Sequence, residues 1–168
     1  MKVLQIYNHV PDMLKPCIDS VKAFADRTNS AYIVHGEAPN TFRYKSVWAD
    51  YIRIQYASLH TNLWYFDWDI KLNDDFGYNG IEPAFYHKTP EACFYTGNDL
   101  SLFKKWRKDF EKIADEKGKM RIKQGQLFWV MKPDLKGEIK YVDASKLEHI
   151  VYHKFNPNME VQNVSKDK

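Results

Sequence analysis

Hydrophobic and polar positions change rhythm several times along the N-terminal half of the chain. Residues 3–7 (Val-Leu-Gln-Ile-Tyr) are a short apolar run closed by Asn8, the signature of a strand. Leu14, Ile18, Val21 and Phe24 then recur at three- and four-residue steps, which predicts a helix with Asp12 as its cap and Pro16 in its first turn. Residues 31–35 (Ala-Tyr-Ile-Val-His) read as a second strand, and 36–40 as a loop. Between Lys45 and Leu59 the helical period returns, with Trp48, Ile52, Tyr56 and Leu59 on one stripe and Tyr51 and Gln55 beside it. A third strand follows in Leu63-Trp64-Tyr65-Phe66-Asp67-Trp68-Asp69-Ile70. Strand, helix, strand, helix, strand is the order of an α/β domain: a mostly parallel central sheet flanked by helices, binding ligands at the carboxyl ends of its strands.

Past residue 70 the pattern is weaker. Residues 84–86 and 92–95 read as strands around the turn-like Lys88-Thr89-Pro90. Phe103, Trp106, Phe110 and Ile113 share a helical face, with caps available among residues 98–101 and Gly118 as the stop. Residues 126–131 predict a short helix ended by Pro133, while 139–142 and 149–152 predict late strands. The expected organisation is a single domain over residues 1–155 and a loose tail over 156–168.

Composition adjusts this picture in three places. The aromatic fraction is 15%, high enough to suit either a tight core or a surface that stacks on flat ligands. The net charge is only +3, and the basic residues between Lys104 and Lys123 alternate with acids, which describes a solvated helix face and argues against nucleic acid as a partner. Cys17 and Cys93 are far apart without metal-ligand spacing, and no run approaches the ~20 apolar residues of a membrane span. The expectation is a cytoplasmic protein with free thiols and no transmembrane segment, whose contact with a membrane or a protein partner would be peripheral.

The chemistry concentrates where the apolar run ends. In an extended backbone Asp67 and Asp69 would project to one side and Trp68 to the other, so two carboxylates share a field. Such a pair either gives one group a proton or shares a cation, and oxygen ligands suit Mg²⁺ or Mn²⁺. The plainer reading is a strand end whose acids are solvated. Asp50 and Arg53, three apart on the preceding helix, can pair with each other; as a surface ion pair that would be worth at most ~1 kcal/mol.

Taken together, Ala49-Asp50-Tyr51-Ile52-Arg53 followed by Trp64-Tyr65-Phe66-Asp67-Trp68-Asp69 resembles the core of GT-A type glycosyltransferases with a DXD sugar-binding region, the group of capsular-polysaccharide and initiating mannosyl transferases. The resemblance is strongest from Trp48 to Ile70, with Ala49 standing where the group has a small hydroxyl residue. It implies a GT-A-like nucleotide-diphospho-sugar transferase domain that moves a sugar from a nucleotide-sugar donor to a glycan, lipid-linked or protein acceptor, with retention of configuration. Tyr7, Asp50, Arg53 and Asp67 would bind the nucleotide, and Asp67, Asp69 and His153 would hold Mn²⁺ or Mg²⁺. Asp69, Gln126 and Lys154 would act in catalysis. His149 shares a strand face with His153 and competes with it for the metal. Thr96 to Asp99 would line the acceptor side, with helix capping as the alternative for Asn98 and Asp99.

Two other functions fit parts of the pattern. A Mg²⁺-dependent phosphohydrolase of the haloacid dehalogenase type would use Asp67 as nucleophile and Asp69 as acid and base, although Lys71 stands where that group wants a hydroxyl residue. A non-catalytic module that binds nucleotide sugars is the third.

Overall fold

The computed structural model describes residues 1–150 except 8, 37–40, 88 and 138. His153, Lys154 and the expected tail therefore lie outside the described residues.

Among the described residues there are eight strands and four α-helices: β1 (Lys2–Ile6), α1 (Lys15–Arg27), β2 (Ala31–His35), α2 (Lys45–Leu59), β3 (Leu63–Phe66), β4 (Ile70–Leu72), β5 (Ala84–Phe85), β6 (Cys93–Tyr95), α3 (Ser101–Lys117), α4 (Gln126–Met131), β7 (Lys140–Tyr141) and β8 (Leu147–His149). Six strands form the main sheet in the order β2-β1-β3-β6-β5-β7, and β4 and β8 form a separate ribbon. The pairs β1–β2, β1–β3 and β5–β7 are parallel, whereas β3–β6 and β5–β6 are antiparallel. The fold is thus α/β with a mostly parallel central sheet between helices. β6 is the strand that runs against the others; it is joined to β5 by a hairpin, whose short connection cannot make the crossover a parallel pair requires.

Strand alternation sorts the core onto two faces of the sheet. Leu4, Tyr65, Phe85 and Phe94 face α2, α3 and α4, meeting Trp48, Ile54, Phe103 and Trp106. Val3, Trp64, Phe66, Cys93 and Tyr95 face α1 and the β4–β8 ribbon, meeting Val21, Phe24, Leu72 and Leu147. Because both faces are covered, β3 is buried at every position, which is why it reads as an uninterrupted apolar run. Most of the aromatic excess is spent here: Trp64, Trp106, Tyr65 and six phenylalanines are among the largest fully buried side chains.

The structure corrects three local readings. Asp12 caps nothing through its side chain; it begins a 3₁₀ turn and pairs with Lys15 at the surface, 2.7 Å away. The α2 stripe is rotated: Val47, Trp48, Asp50, Arg53, Ile54 and Ala57 are buried, whereas Leu59 is 64% exposed. Two charged residues occupy the inner face that an apolar stripe would have filled. Finally, residues 63–70 are not one strand. β3 stops at Phe66, and the Ile70 N–H donates to the Asp67 carbonyl at 3.2 Å, closing a turn before β4.

Candidate active site

That turn is the local reason Asp67 and Asp69 converge. The Asp67 N–H still donates to the Ala92 carbonyl at 2.7 Å, extending the β3–β6 ladder by one bond, and Asp69 is then folded back beside it. The two carboxylates meet by a chain reversal, not by the alternation of an extended strand. β8 completes the group: His149 lies opposite Ile70, and the Ile150 N–H donates to the Asp69 carbonyl at 2.8 Å. One ligand atom from each of Asp67, Asp69 and His149 lies within 4.8 Å of the others.

On the other side of Asp67 stands Arg53. It is 6% exposed, and Asp50 5%, so their ion pair is a buried one and not the surface pair that the i,i+3 spacing also allowed. Arg53 Nη2 donates to Asp50, while Nη1 donates to the Glu91 carbonyl at 2.8 Å, to Asp67 Oδ1 at 3.2 Å and to the Tyr65 hydroxyl at 3.4 Å. The Tyr65 hydroxyl donates in turn to Asp67 Oδ1. A planar guanidinium can bridge α2, β3 and the turn before β6 in this way because its donors diverge. On the sheet side, Gln5 Nε2 donates to the Asp67 carbonyl at 3.3 Å, Tyr32 donates to Gln5 Oε1 at 2.6 Å, and the Tyr7 hydroxyl is 3.2 Å from that of Tyr32.

These neighbours set the charge states. Burial raises the Asp67 pKa, Arg53 lowers it and Asp69 raises it again, leaving the carboxyl at about 7. Burial likewise raises Asp50 against the pull of Arg53. Burial disfavours the charge on Arg53, but Asp50, Tyr65, Asp67 and Glu91 outweigh it and hold the pKa above its ordinary value. His149 is raised by its interaction with Asp69, against the effect of burial. Its Nε2 is 3.3 Å from Asp69 Oδ1, an ion-pair contact without hydrogen-bond geometry, so that buried carboxylate oxygen has no hydrogen bond among the described residues. A buried carboxylate oxygen without a hydrogen bond, between another carboxylate and an imidazole, matches the donor set of a divalent transition ion such as Mn²⁺.

A cleft of about 300 Å³ opens from Asp67, lined also by Asp50, Arg53, Glu91, Ser46, Gln124, Gly125 and Phe128. Glu91 Oε2 and Arg53 Nε are buried without hydrogen-bond partners among the described residues.

The structure therefore brings together Asp50, Arg53, Asp67 and Asp69, and adds His149, Glu91 and Gln5. Tyr7 sits at the same end of the sheet, joined to Asp67 through Tyr32 and Gln5. Gln126 begins α4 half-buried, and the residues of its segment that line the cleft are Gln124, Gly125 and Phe128. Thr96 to Asp99 lie at the opposite end of β3: Thr96 Oγ1 accepts from the Leu63 N–H at 3.0 Å, and Asp99 accepts from the Ser101 N–H at the start of α3. Glu91 had no motif to betray it. Gln5 had a signal, a lone amide inside an apolar strand, where a buried polar group requires partners.

No protein-family model matches the sequence, and no curated protein matches it. Among solved structures the chain is similar to a glycosyltransferase involved in the glycosylation of the major capsid of PBCV-1, at 13% identity over 84% of this chain and 80% of that one, with a TM-score of 0.49. It is also similar to Drosophila β1,4-galactosyltransferase 7, a mutant in complex with manganese, UDP-Gal and xylobiose, at 13% identity over 92% of this chain and 74% of that one, with a TM-score of 0.46.

Proposed function

We propose that this protein is a metal-dependent glycosyltransferase of GT-A type that uses a nucleotide-sugar donor. The observation that carries the reading is the convergence of Asp67, Asp69 and His149 at the carboxyl end of a parallel strand, beside a polar cleft. Asp67, Asp69 and His149 would hold Mn²⁺ or Mg²⁺; when bound, the ion supplies positive charge to the diphosphate of the donor. Arg53 is a positioning residue: by donating to Asp67 and filling the space between it and Asp50, it keeps Asp67 oriented and favours its ionised form.

In this reading the donor sugar occupies the cleft, where Glu91 and Gln124 offer hydrogen bonds to its hydroxyls and Phe128 offers an apolar wall. Tyr7 marks the side of the base, at the end of β1. Lys154 and Gln126 keep the roles that the sequence resemblance implies, as does retention of configuration, which nuclear magnetic resonance of the product reads directly. The acceptor is a glycan, a lipid-linked sugar or a protein. Among the described residues no helix is long and apolar enough to cross a membrane.

The test is incubation with a panel of nucleotide sugars and Mn²⁺, following release of nucleoside diphosphate. Transfer, or slow hydrolysis of one donor, is the expected result. Release of phosphate from simple phosphoesters with no action on any donor would point to the phosphohydrolase, and donor binding without turnover to a binding module.

A further inference from the structure

The sheet order β2-β1-β3 means that the chain leaves β1 to one side, through α1 to β2, and then crosses to the other, through α2 to β3. Parallel sheets bind ligands in the crevice outside the carboxyl ends of the strands, at the point where the order reverses. Asp67 follows the end of β3 at this point. Tyr7 follows the end of β1, its N–H still donating to the His35 carbonyl at 3.0 Å, and it is half-buried.

The hydrogen bonds between these two residues have a single consistent proton order. They run from the Asp67 carbonyl to Gln5 at 3.3 Å, from Gln5 to Tyr32 at 2.6 Å and from Tyr32 to Tyr7 at 3.2 Å. A backbone carbonyl only accepts, so Gln5 turns its amide nitrogen towards Asp67 and its oxygen towards Tyr32. That amide oxygen also only accepts, so the Tyr32 hydroxyl spends its single proton on it. Burial, and the bond with Tyr7, raise the Tyr32 pKa, which keeps the proton in place. The contact between the two hydroxyls is then a bond only if Tyr7 donates and Tyr32 accepts. Gln5 is fully buried, so both ends of its amide depend on these partners. A tyrosine hydroxyl ordinarily turns to donate or accept as a ligand requires. Tyr7 has lost that freedom: its proton is committed, and it can offer a ligand only its oxygen lone pairs.

We propose that Tyr7 is a fixed hydrogen-bond acceptor that selects a nucleobase carrying a ring N–H, of the uracil or guanine type, over cytosine or adenine, whose corresponding ring nitrogens only accept. The inference rests on the glycosyltransferase reading, in which the metal and the diphosphate lie at the end of β3 and the nucleoside extends towards β1. A ribose hydroxyl can rotate to suit either polarity, whereas the edge nitrogen of a base cannot, so the committed proton matters for the base. Tyr32 and Gln5 are positioning residues that act through Tyr7 by deciding where its proton goes. A site built to pair one polarity leaves the wrong base with two lone pairs facing each other, which binding energy alone rejects.

The experiment titrates UDP, GDP, CDP and ADP calorimetrically, each with Mn²⁺, into the parent, Tyr7→Phe and Tyr32→Phe, with thermal melts to confirm that each variant is folded. The parent should bind UDP at least about tenfold more tightly than CDP, or GDP at least about tenfold more tightly than ADP, and whichever pair shows the preference identifies the base. Tyr7→Phe neither donates nor accepts, so that ratio should fall to within about threefold of unity. Tyr32→Phe keeps Tyr7 but frees its proton, so Tyr7 can donate to the ring acceptor and the disfavoured nucleotide should gain on the favoured one. A merely structural role for Tyr32 would weaken both alike and leave the ratio unchanged. Equal binding of all four nucleotides by the parent, binding of none, or a ratio preserved in either variant overturns the proposal. Should the ratios move as stated while no nucleotide sugar is turned over, the base selection stands and the glycosyltransferase reading falls; turnover of a donor with the ratio preserved in Tyr7→Phe keeps that reading and removes the inference.

Discussion

Arg53→Lys isolates the geometry of the buried network from its charge. The guanidinium reaches Asp50 through one nitrogen and Asp67, Tyr65 and the Glu91 carbonyl through another. A single ammonium can serve one of these sides. If it stays with Asp67 and the Glu91 carbonyl, Asp50 is left buried without its partner, and burial already favours its protonated form. A hydrogen bond to a charged group is worth ~1.5–3 kcal/mol, so the lysine variant should be destabilised by about 2 kcal/mol. Arg53→Met removes every polar contact and strands Asp50, for which ~3–5 kcal/mol is the appropriate scale. The assay is urea unfolding followed by tryptophan fluorescence, with an unchanged slope required before midpoints are compared. A surface ion pair would give at most ~1 kcal/mol in either variant. If both variants fall within about 0.5 kcal/mol of the parent, the network described for Arg53 is not formed in solution.

Three further outcomes follow from the same structure. Asp67, at about 7 against its usual 3.8, binds more protons folded than unfolded between those values, and His149 is raised from 6.5 in the same sense. The stability each contributes is therefore full below its unfolded pKa and lost as pH rises through the folded one, so in EDTA the thermal midpoint should fall between pH 5 and 8 by more in the parent than in Asp67→Asn. Mn²⁺ needs the deprotonated forms, so its affinity should rise over that window; His149→Ala should lower both affinity and pH slope, and parental values in His149→Ala with loss in His153→Ala would move the ligand to the later histidine. Gly97→Ala should destabilise by more than ~1 kcal/mol in a thermal melt, because φ is +67° and a Cβ would lie 2.7 Å from the Glu82 carbonyl carbon and the Ile81 oxygen; a neutral result would contradict the approach of those backbones.

Sequence periodicity carried the fold well where one physical rule acted alone. The bounds of β2, α2 and α4 follow from hydrophobic runs and breakers, and their residues are those observed. It failed where tertiary contacts overrode it. The α2 stripe was misphased because Asp50 and Arg53, polar by type, are buried by pairing with each other. Asp67 and Asp69 were recognisable as a pair from the motif, but the turn that joins them depends on the Asp67 carbonyl accepting from Ile70. His149 could not be separated from His153 by alternation; its place beside Asp69 comes from pairing of β8 with β4, a contact between distant segments that no local pattern encodes. Glu91 lies in a turn with no period at all.

Asp67, Asp69 and His149 are assigned to one divalent-ion site that the donor nucleotide shares. Electron paramagnetic resonance of free Mn²⁺, titrated into the protein at pH 8 with and without UDP or GDP, measures that occupancy. The parent should take up one ion per chain, more tightly with the nucleotide that it recognises, and Asp69→Asn should lose this uptake while melting within a few degrees of the metal-free parent. At ~100 times its dissociation constant the bound ligand should add roughly 2.7 kcal/mol of stability in the parent alone. Uptake of Mn²⁺ by Asp69→Asn equal to that of the parent, or no uptake by the parent with either nucleotide, would contradict the assignment.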